Sequence, residues 1–317
     1  MTSVLRRLLL LLALTSSAAL AQYPTKPIRL IVPFPPGGAA DIAARLVAQP
    51  LSQALGQSIV IENKAGADGL IAGDLVARSA PDGYTFLFAT STGMSAAPAM
   101  RKSVPYDPIN DFTPVGRVGT FGFFLFVHES VPAKSLAELL AYARANPGKL
   151  NYGTGNGTSI VATAQLVQLT KLDVVHIPYK GDAPLLADIL AGRVHMMFAA
   201  GSALPQAKDG RLRVLATLLA NRSSLLPDVP TVTEAGITGL TATPWGGLLG
   251  PANLPQDIVA RVSRELAQVM TRPDVRDQLS KLAFEAQSST AEEFGAFVRE
   301  QRGEWRKAVA EAGIQPE

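Results

Sequence analysis

A recurring unit of apolar strand, small-residue loop and helix constrains the fold of this chain more than any other feature. In the first copy, residues 28–46 (IRLIVPFPPGGAADIAARL), a buried strand leads through two prolines and two glycines into a helix. Strands at 59–61, 123–127 and 174–178 are likewise followed by helices at 70–76, 136–145 and 184–191. Strands that alternate with helices predict an α/β fold with mostly parallel sheets.

The first loop has the composition of an anion site. No large side chain covers the backbone at Gly37 and Gly38, so the first amides of the following helix are free to face a cleft. Those amides have no partner within the helix, and the helix dipole adds a partial positive charge, so a carboxylate or phosphate is favoured there. Asp41 can pair with Arg45 in the next turn. The alternative to an anion site is an ordinary strand-to-helix connection in which Asp41 caps the helix.

Two further polar loops follow predicted strands. Residues 151–166 (NYGTGNGTSIVATAQL) repeat the glycine-rich helix start, and residues 90–95 (TSTGMS) form a loop rich in hydroxyl groups. Ligands of open α/β sheets bind at the carboxyl ends of the strands, so these loops are expected to face one crevice, with a plain solvated loop as the alternative. Nucleotide binding is not expected, because Thr158 stands where a dinucleotide fingerprint needs glycine and no phosphate-loop motif occurs.

The N-terminus predicts export. Arg6 and Arg7 precede an apolar run at 8–14, and small residues end in Ala19-Leu20-Ala21, which is the pattern of a signal peptide (residues 1–21) cleaved after Ala21. The leader holds two of the 29 basic residues and none of the 26 acidic ones, so the mature chain is nearly neutral. Such a balance carries no electrostatic footprint for nucleic acid. With 317 residues, 47% of them hydrophobic, the chain has material for two domains.

Catalytic and metal-binding chemistry has few candidate residues. The chain has no cysteine, and its three histidines, His128, His176 and His195, show no spacing typical of a zinc site. His176 and His195 lie in or beside strands and are expected to be core or surface residues. No metal and no cofactor are therefore predicted, and an enzyme on this scaffold is the less favoured alternative.

Several blocks together resemble one family. YPTKPIRLIVPFPPGGAADIAARL, IENKAGADG, PDGYTFLFA, VPYDPINDFTPV, VVHIPYKGDAPLLADILAGRV, LPDVPTVTEAG and WGGLLGPANLP stand in the order found in the Bug or TctC family, the extracytoplasmic solute-binding proteins of tripartite tricarboxylate transporters. The resemblance implies a type II periplasmic-binding-protein fold of two doubly wound α/β domains with a ligand cleft between them. It places one domain at 22–122 plus 246–317 and the other at 123–245.

The resemblance also implies a function. A periplasmic protein of this family captures a small carboxylate (a di- or tricarboxylate, an amino acid or an aromatic acid) by domain closure and passes it to membrane permease subunits, and a monomer is expected. A ligand-presenting sensor is the alternative. Backbone amides, Thr158 and Ser159 are predicted to hold a carboxylate, while Ser91, Thr92 and Asp182 contact the distal end. The predicted ligand-binding residues are Phe34, Pro35, Gly37, Gly38, Ala39, Asp41, Ser91, Thr92, Thr154, Gly155, Gly157, Thr158, Ser159 and Asp182.

The sequence departs from the family pattern near the predicted cleft. Where the family often has Ser-His-Leu and then Glu, this chain has residues 160–162 (IVA) and Gln165, and Ala97-Pro98 replaces Asn-Pro. These changes predict a more apolar site that suits an aromatic or longer aliphatic acid better than citrate. Pro50 lies inside the first helix and predicts a kink there.

Overall fold

A computed structural model describes residues 23–317 of the chain. The predicted signal peptide and its cleavage site lie outside the described residues. Between residues 23 and 317, no helix is both long and apolar enough to cross a membrane.

A six-stranded sheet organises the first lobe, by which we mean this sheet and the helices packed on it. Its strand order is β11-β4-β10-β3-β1-β2. The two neighbours of β1 run parallel to it, whereas β10 runs antiparallel to both of its neighbours. The strands are β1 (Ile28–Val32), β2 (Ile59–Asn63), β3 (Thr85–Thr90), β4 (Phe112–Phe121), β10 (Trp245–Pro251) and β11 (Phe284–Ala286).

A five-stranded sheet organises the second lobe, defined in the same way. Its order is β7-β6-β8-β5-β9, with β6 parallel to both neighbours and β5 antiparallel to both of its own. The strands are β5 (Phe123–His128), β6 (Asn151–Thr154), β7 (Val175–Pro178), β8 (Met196–Ala200) and β9 (Leu212–Thr217).

Helices cover both faces of each sheet, and the central strands are therefore buried on both sides. Every residue of β3, β8 and β10 is buried. The predicted α/β fold of the type II periplasmic-binding class is confirmed. The helices are α1 (Ala39–Leu55), α2 (Leu70–Ala77), α3 (Ala97–Met100), α4 (Leu136–Ala145), α5 (Gly157–Thr170), α6 (Asp182–Leu190), α7 (Leu204–Lys208), α8 (Gln256–Thr271), α9 (Pro273–Ser280) and α10 (Ala291–Glu311).

The hydroxyl-rich segment was predicted as a loop, and this was wrong: a π-helical turn at Thr92–Ala96 continues into α3, and its residues are buried, which also rules out the alternative of a solvated loop. Strand β4 was not predicted, because Pro114, Gly116 and Gly119 interrupt its apolar pattern. Pro50 does not end α1, which runs from Ala39 to Leu55, and a kink at Pro50 stays a prediction.

Helix α10 joins the two lobes. Near its start, Phe294 packs with Trp245 of β10 in the first lobe. Further along, Trp305 and Val309 are buried in the core of the second lobe. Helix α10 therefore packs against the cores of both lobes. The domain boundaries at 122 and 246 stay a prediction.

Candidate functional site

A cavity of about 400 Å³ lies where loops of the two lobes face each other. Its wall comes from the segments that follow β1, β3, β6, β7 and β8, which are the carboxyl ends of strands, as expected for an α/β sheet. The wall consists of Phe34, Pro35, Pro36, Gly37, Gly38, Ala39, Ala40, Thr90, Ser91, Thr92, Phe121, Phe123, Asn156, Thr158, Gly181, Asp182, Ala183, Pro184, Leu186, Met197, Ala199, Ala200, Ser202, Ala203 and Pro244.

The loop from β1 to α1 is braced from behind by Asp41. Its carboxylate accepts hydrogen bonds from the Gly37 amide (2.9 Å), from Arg45 Nε (3.0 Å) and from Asn63 Nδ2 (2.8 Å). Asn63 also donates to the Phe34 carbonyl at 2.9 Å. Burial opposes ionisation of Asp41, but the hydrogen bonds from Arg45, Gly37 and Asn63 hold its pKa below the ordinary value.

The N-terminus of α1 remains open toward the cavity. Its N-cap is Gly38, which has no side chain to cap the helix. Within residues 23–317, the amides of Ala39 and Ala40 have no hydrogen-bond partner, and both residues lie in the wall. Gly37, with φ of +81°, takes the left-handed conformation that the sharp entry to the helix requires. Free N–H donors and the positive end of a helix dipole therefore meet at the cavity wall.

The loop from β6 to α5 is arranged differently, because a capping box uses its donors. Asn156 Oδ1 accepts from the Ser159 amide at 3.0 Å, and Ser159 Oγ accepts from the amides of Gly155 and Asn156 at 3.1 and 3.2 Å. Ser159 has no exposed surface. Its hydroxyl shapes the loop and does not reach the cavity.

Hydroxyl groups link the lobes at the cavity wall. Thr158 Oγ1 of the second lobe lies 2.9 Å from Thr92 Oγ1 and 3.3 Å from Ser91 Oγ of the first lobe. Thr90, at the end of β3, is 5% exposed and its Oγ1 has no hydrogen-bond partner in the described part of the chain. These groups give the wall polar atoms that rotate to suit a ligand.

Asp182 is held in place at the start of α6. Its Oδ1 accepts a hydrogen bond from Asn156 Nδ2 at 2.9 Å, so the residue that caps α5 also orients this carboxyl. A Cβ atom on Gly155 would collide with Oδ1, so the carboxyl rests directly against the backbone of the β6–α5 loop. Burial raises the pKa of Asp182 to about 6, against the opposing effect of the Asn156 hydrogen bond.

The rest of the wall is largely apolar. Phe121 ends β4 and Phe123 begins β5, so both sides of the crossing between the sheets contribute an aromatic ring. Phe34, Leu186 and Met197 add apolar surface from three other elements. An apolar enclosure with a few placed polar groups is typical of a small-molecule site.

The structure divides the residues predicted from sequence into two groups. Phe34, Pro35, Gly37, Gly38, Ala39, Ser91, Thr92, Thr158 and Asp182 lie together in the wall, and their contact with a ligand stays a prediction. Asp41, Thr154, Gly155, Gly157 and Ser159 lie outside the wall. Asp41 and Ser159 brace the loops, and Thr154 Oγ1 bonds to His176 Nε2 at 2.7 Å.

Sequence reasoning missed several wall residues. Asn156 carries a signal that was available, because an asparagine three residues before a serine at a helix start predicts a cap. Phe121, Phe123 and Met197 show no such signal, because apolar residues in strands are predicted to belong to the hydrophobic core. None of the three histidines lies in the wall, and residues 23–317 contain no group of three acidic or histidine side chains arranged for a metal ion.

The departures from the family pattern do not line the cavity, which corrects the reason given for an apolar site. Val161, Ala162 and Ala97 are buried in the cores. Gln165 donates to the Gly239 carbonyl and the Thr241 hydroxyl, both at 3.4 Å. The apolar surface of the cavity comes from other residues, among them the aromatic rings that end β4 and begin β5.

Comparison with known families decides the identity of the chain. The family of tripartite tricarboxylate transporter family receptors, TctC, matches residues 43–314. The chain belongs to the TctC family. A relative of this TctC protein from Pseudomonas sp. (strain P51), described as UPF0065 protein in tcbD-tcbE intergenic region, is 36% identical over 310 residues, which cover 95% of this chain and 91% of the relative.

Solved structures of similar proteins share the fold and, in two cases, hold an acid. The TctC protein superposes with a TM-score of 0.89 on R. palustris Rpa4515 with adipate (33% identity; 93% of this chain, 100% of the other). MatC from Rhodopseudomonas palustris with bound malate gives 0.84 (31% identity; 90% and 100%). The periplasmic binding protein BugD gives 0.87 (30% identity; 93% and 100%), which confirms the resemblance to Bug proteins.

Proposed function

We propose that this TctC protein is a periplasmic solute-binding protein whose cavity binds a small carboxylate with an apolar body. By closure of its two lobes it captures this ligand for the membrane permease subunits of a tripartite tricarboxylate transporter. Family membership supports the role, and the adipate and malate held by two similar proteins support the ligand class. The ligand is released unaltered, so the protein acts as a carrier and not as an enzyme.

The open start of α1 is the observation that carries the proposal. The unpartnered amides of Ala39 and Ala40 begin a helix of 17 residues, and both residues line the cavity. A carboxylate supplies the acceptors that these donors lack and is favoured by the helix dipole. The hydroxyl of Thr158 and the unpaired hydroxyl of Thr90 offer further hydrogen bonds, directly or through water.

The volume and surface of the cavity limit the rest of the ligand. About 400 Å³ accommodates a small organic acid. Phe34, Phe121 and Phe123 favour an aliphatic chain or an aromatic ring beside the carboxylate, because burying apolar ligand surface is favourable. We therefore expect longer aliphatic and aromatic acids to bind more tightly than citrate.

Contacts between the lobes support closure as the capture step. The hydrogen bond between Thr92 and Thr158 crosses from one lobe to the other. Gly181 of the second lobe also lies close to Pro35 of the first, since a Cβ atom added to Gly181 would be 4.0 Å from Pro35 Cγ. A ligand that contacts both walls stabilises the conformation in which they meet. That closed monomer is the form offered to the permease.

A thermal-shift screen tests the ligand class. The full chain is expressed and the exported protein is purified and heated with mono-, di- and tricarboxylates, amino acids and aromatic acids, each beside its neutral amide. An acid at one hundred times its dissociation constant should add about 2.7 kcal/mol to the stability, and the matching amide should not. The absence of any shift with every acid, or equal shifts with the amides, contradicts carboxylate capture.

Proline substitution tests the role of the α1 amides. Ala39→Pro removes one N–H at the first helical position, where proline is tolerated and where the extended Gly38 before it is compatible. We expect at least a tenfold loss of acid affinity by calorimetry, with little change in the unfolding midpoint. Ala291→Pro makes the same change at the start of α10, after the extended Thr290, and should leave affinity unchanged. Equal affinities of both variants contradict the proposed anion site.

A further inference from the structure

Asp182 gives the cavity wall its only ionisable side chain among the described residues. The basic residue nearest to it in the chain, Lys180, is exposed and lies outside the wall. The remaining polar groups of the wall are hydroxyls, backbone amides and the side-chain amide of Asn156. A ligand that reaches Asp182 therefore meets a negative charge with no cation beside it.

The position of this carboxyl is fixed by its surroundings. Asn156 Nδ2 holds Oδ1 at 2.9 Å, and the absence of a side chain at Gly155 leaves the space in which the carboxyl lies. Within residues 23–317, Oδ2 has no hydrogen-bond donor. Because Asn156 is itself fixed as the cap of α5, its Nδ2 stays in place, and Asp182 turns away only by giving up this hydrogen bond. Asp182 thus presents an unused acceptor at a defined place.

We propose that Asp182 determines the ligand specificity of the cavity: the end next to α6 accepts a group that donates a hydrogen bond and rejects a second carboxylate. This inference rests on the proposed function, because it assumes that one carboxylate is bound at the open start of α1. The preferred ligand is then an acid with a single carboxylate, an apolar body and a hydroxyl or ammonium group at its other end.

Electrostatics gives the reason for rejection. Like charges that share a site of low dielectric constant repel strongly when no cation or solvent screens them. The pKa of about 6 leaves Asp182 largely ionised at neutral pH, so a dicarboxylate brings a second anion to an anionic wall. A hydroxyl or ammonium instead supplies the donor that Oδ2 lacks, whereas a plain methyl end would displace water from this acceptor without replacing the hydrogen bond.

Acids of equal length test the inference. Hexanoate, 6-hydroxyhexanoate and adipate differ only at one end, and their dissociation constants are measured by calorimetry with the exported protein at pH 7.5. We expect the wild-type protein to bind 6-hydroxyhexanoate at least tenfold more tightly than adipate. In Asp182→Asn, which keeps the shape of the side chain and removes its charge, adipate should gain at least tenfold relative to hexanoate.

Controls separate this inference from the proposed function. Asp173→Asn removes an exposed acid of the same lobe and should leave all three affinities unchanged. Asp182→Ser serves as a second neutral variant if Asp182→Asn unfolds. Binding of the acids with the same adipate-to-hexanoate ratio in wild type and neutral variants overturns the inference alone. Binding of none of a full panel of acids by the wild-type protein overturns the proposed function and the inference with it.

Discussion

Asn156 illustrates how much a single residue does in this site. Its Oδ1 caps α5 through the Ser159 amide, and its Nδ2 holds Asp182 on the neighbouring helix α6. The two contacts lie at opposite atoms of one amide group, so a substitution is able to remove them separately. The Asn156 side chain therefore contributes both to the stability of the second lobe and to the position of Asp182 in the cavity wall.

Substitution of Asn156 separates these two roles. Asn156→Ala loses the cap and should lower the free energy of unfolding by about 1 kcal/mol, measured in urea. Asn156→Ser keeps a capping hydroxyl but loses the donor to Asp182, so it should be the more stable of the two variants. Because the lost hydrogen bond favours the ionised carboxyl, the pKa of Asp182 should rise in both variants, as followed by NMR. Equal destabilisation by serine and alanine would argue against the capping role.

At the scale of elements, the connection from β1 to α1 depends on a buried carboxylate behind it. Asp41 is 2% exposed and joins the loop amide of Gly37, the helix residue Arg45 and the strand residue Asn63. Apart from Phe34, the loop consists of prolines and glycines, and none of its residues has a side-chain donor. The start of α1 is thus held in place by Asp41, a side chain of α1 itself.

Removal of this charge should weaken the connection in a pH-dependent way. The folded-state pKa of Asp41 is lowered, so its contribution to stability is present above the ordinary pKa and is lost as the pH falls through the folded value. Asp41→Asn should cost roughly 2 kcal/mol at pH 7 in urea unfolding, and the cost should shrink below pH 4.

An exposed pair of the same spacing is the control for Asp41. Asp74 and Arg78 also lie four residues apart, but the Arg78 side chain is 73% exposed. Asp74→Asn should therefore cost less than about 0.5 kcal/mol at any pH. A cost for Asp41→Asn that is as small as this, or that is the same at pH 3 and pH 7, would contradict the bracing role.

For the whole molecule, α10 couples the two lobes. The helix has 21 residues and is about 30 Å long, so it spans from Phe294 in the first lobe to Trp305 in the second. Trp305 is 1% exposed and its Nε1 donates to Gln301 Oε1 at 3.2 Å. The two lobes therefore share one continuous helix in addition to their contacts at the cavity.

Truncation of Trp305 should destabilise both lobes. Trp305→Ala should lower the free energy of unfolding by about 3 to 5 kcal/mol, whereas Trp305→Phe keeps a ring and should cost less than half as much. In both variants Trp245 is the single remaining tryptophan, so its fluorescence reports the first lobe. A lower urea midpoint at Trp245 indicates coupling through α10, and an unchanged midpoint refutes it.

The sequence by itself determined the order and type of most elements and the two small-residue helix starts. Apolar periodicity, proline and glycine act locally, so the helix predicted at 136–145 has the bounds that the structure gives α4, Leu136–Ala145. Periodicity did not predict β4, where glycine and proline interrupt the apolar pattern, or the π-helical turn that the hydroxyl-rich segment forms.

Only the tertiary structure decided which side chains face the cavity. A local pattern fixes the conformation of a loop, but the direction of a side chain depends on partners distant in sequence. Asp41 turns to Asn63 and away from the cavity, whereas Asp182 is held at the wall by Asn156. Phe121 and Phe123 belong to different sheets and line one cavity because the chain crosses between the lobes at Gly122. Long-range packing, which a pattern of period 2 or 3.6 does not encode, therefore set the chemistry of the site.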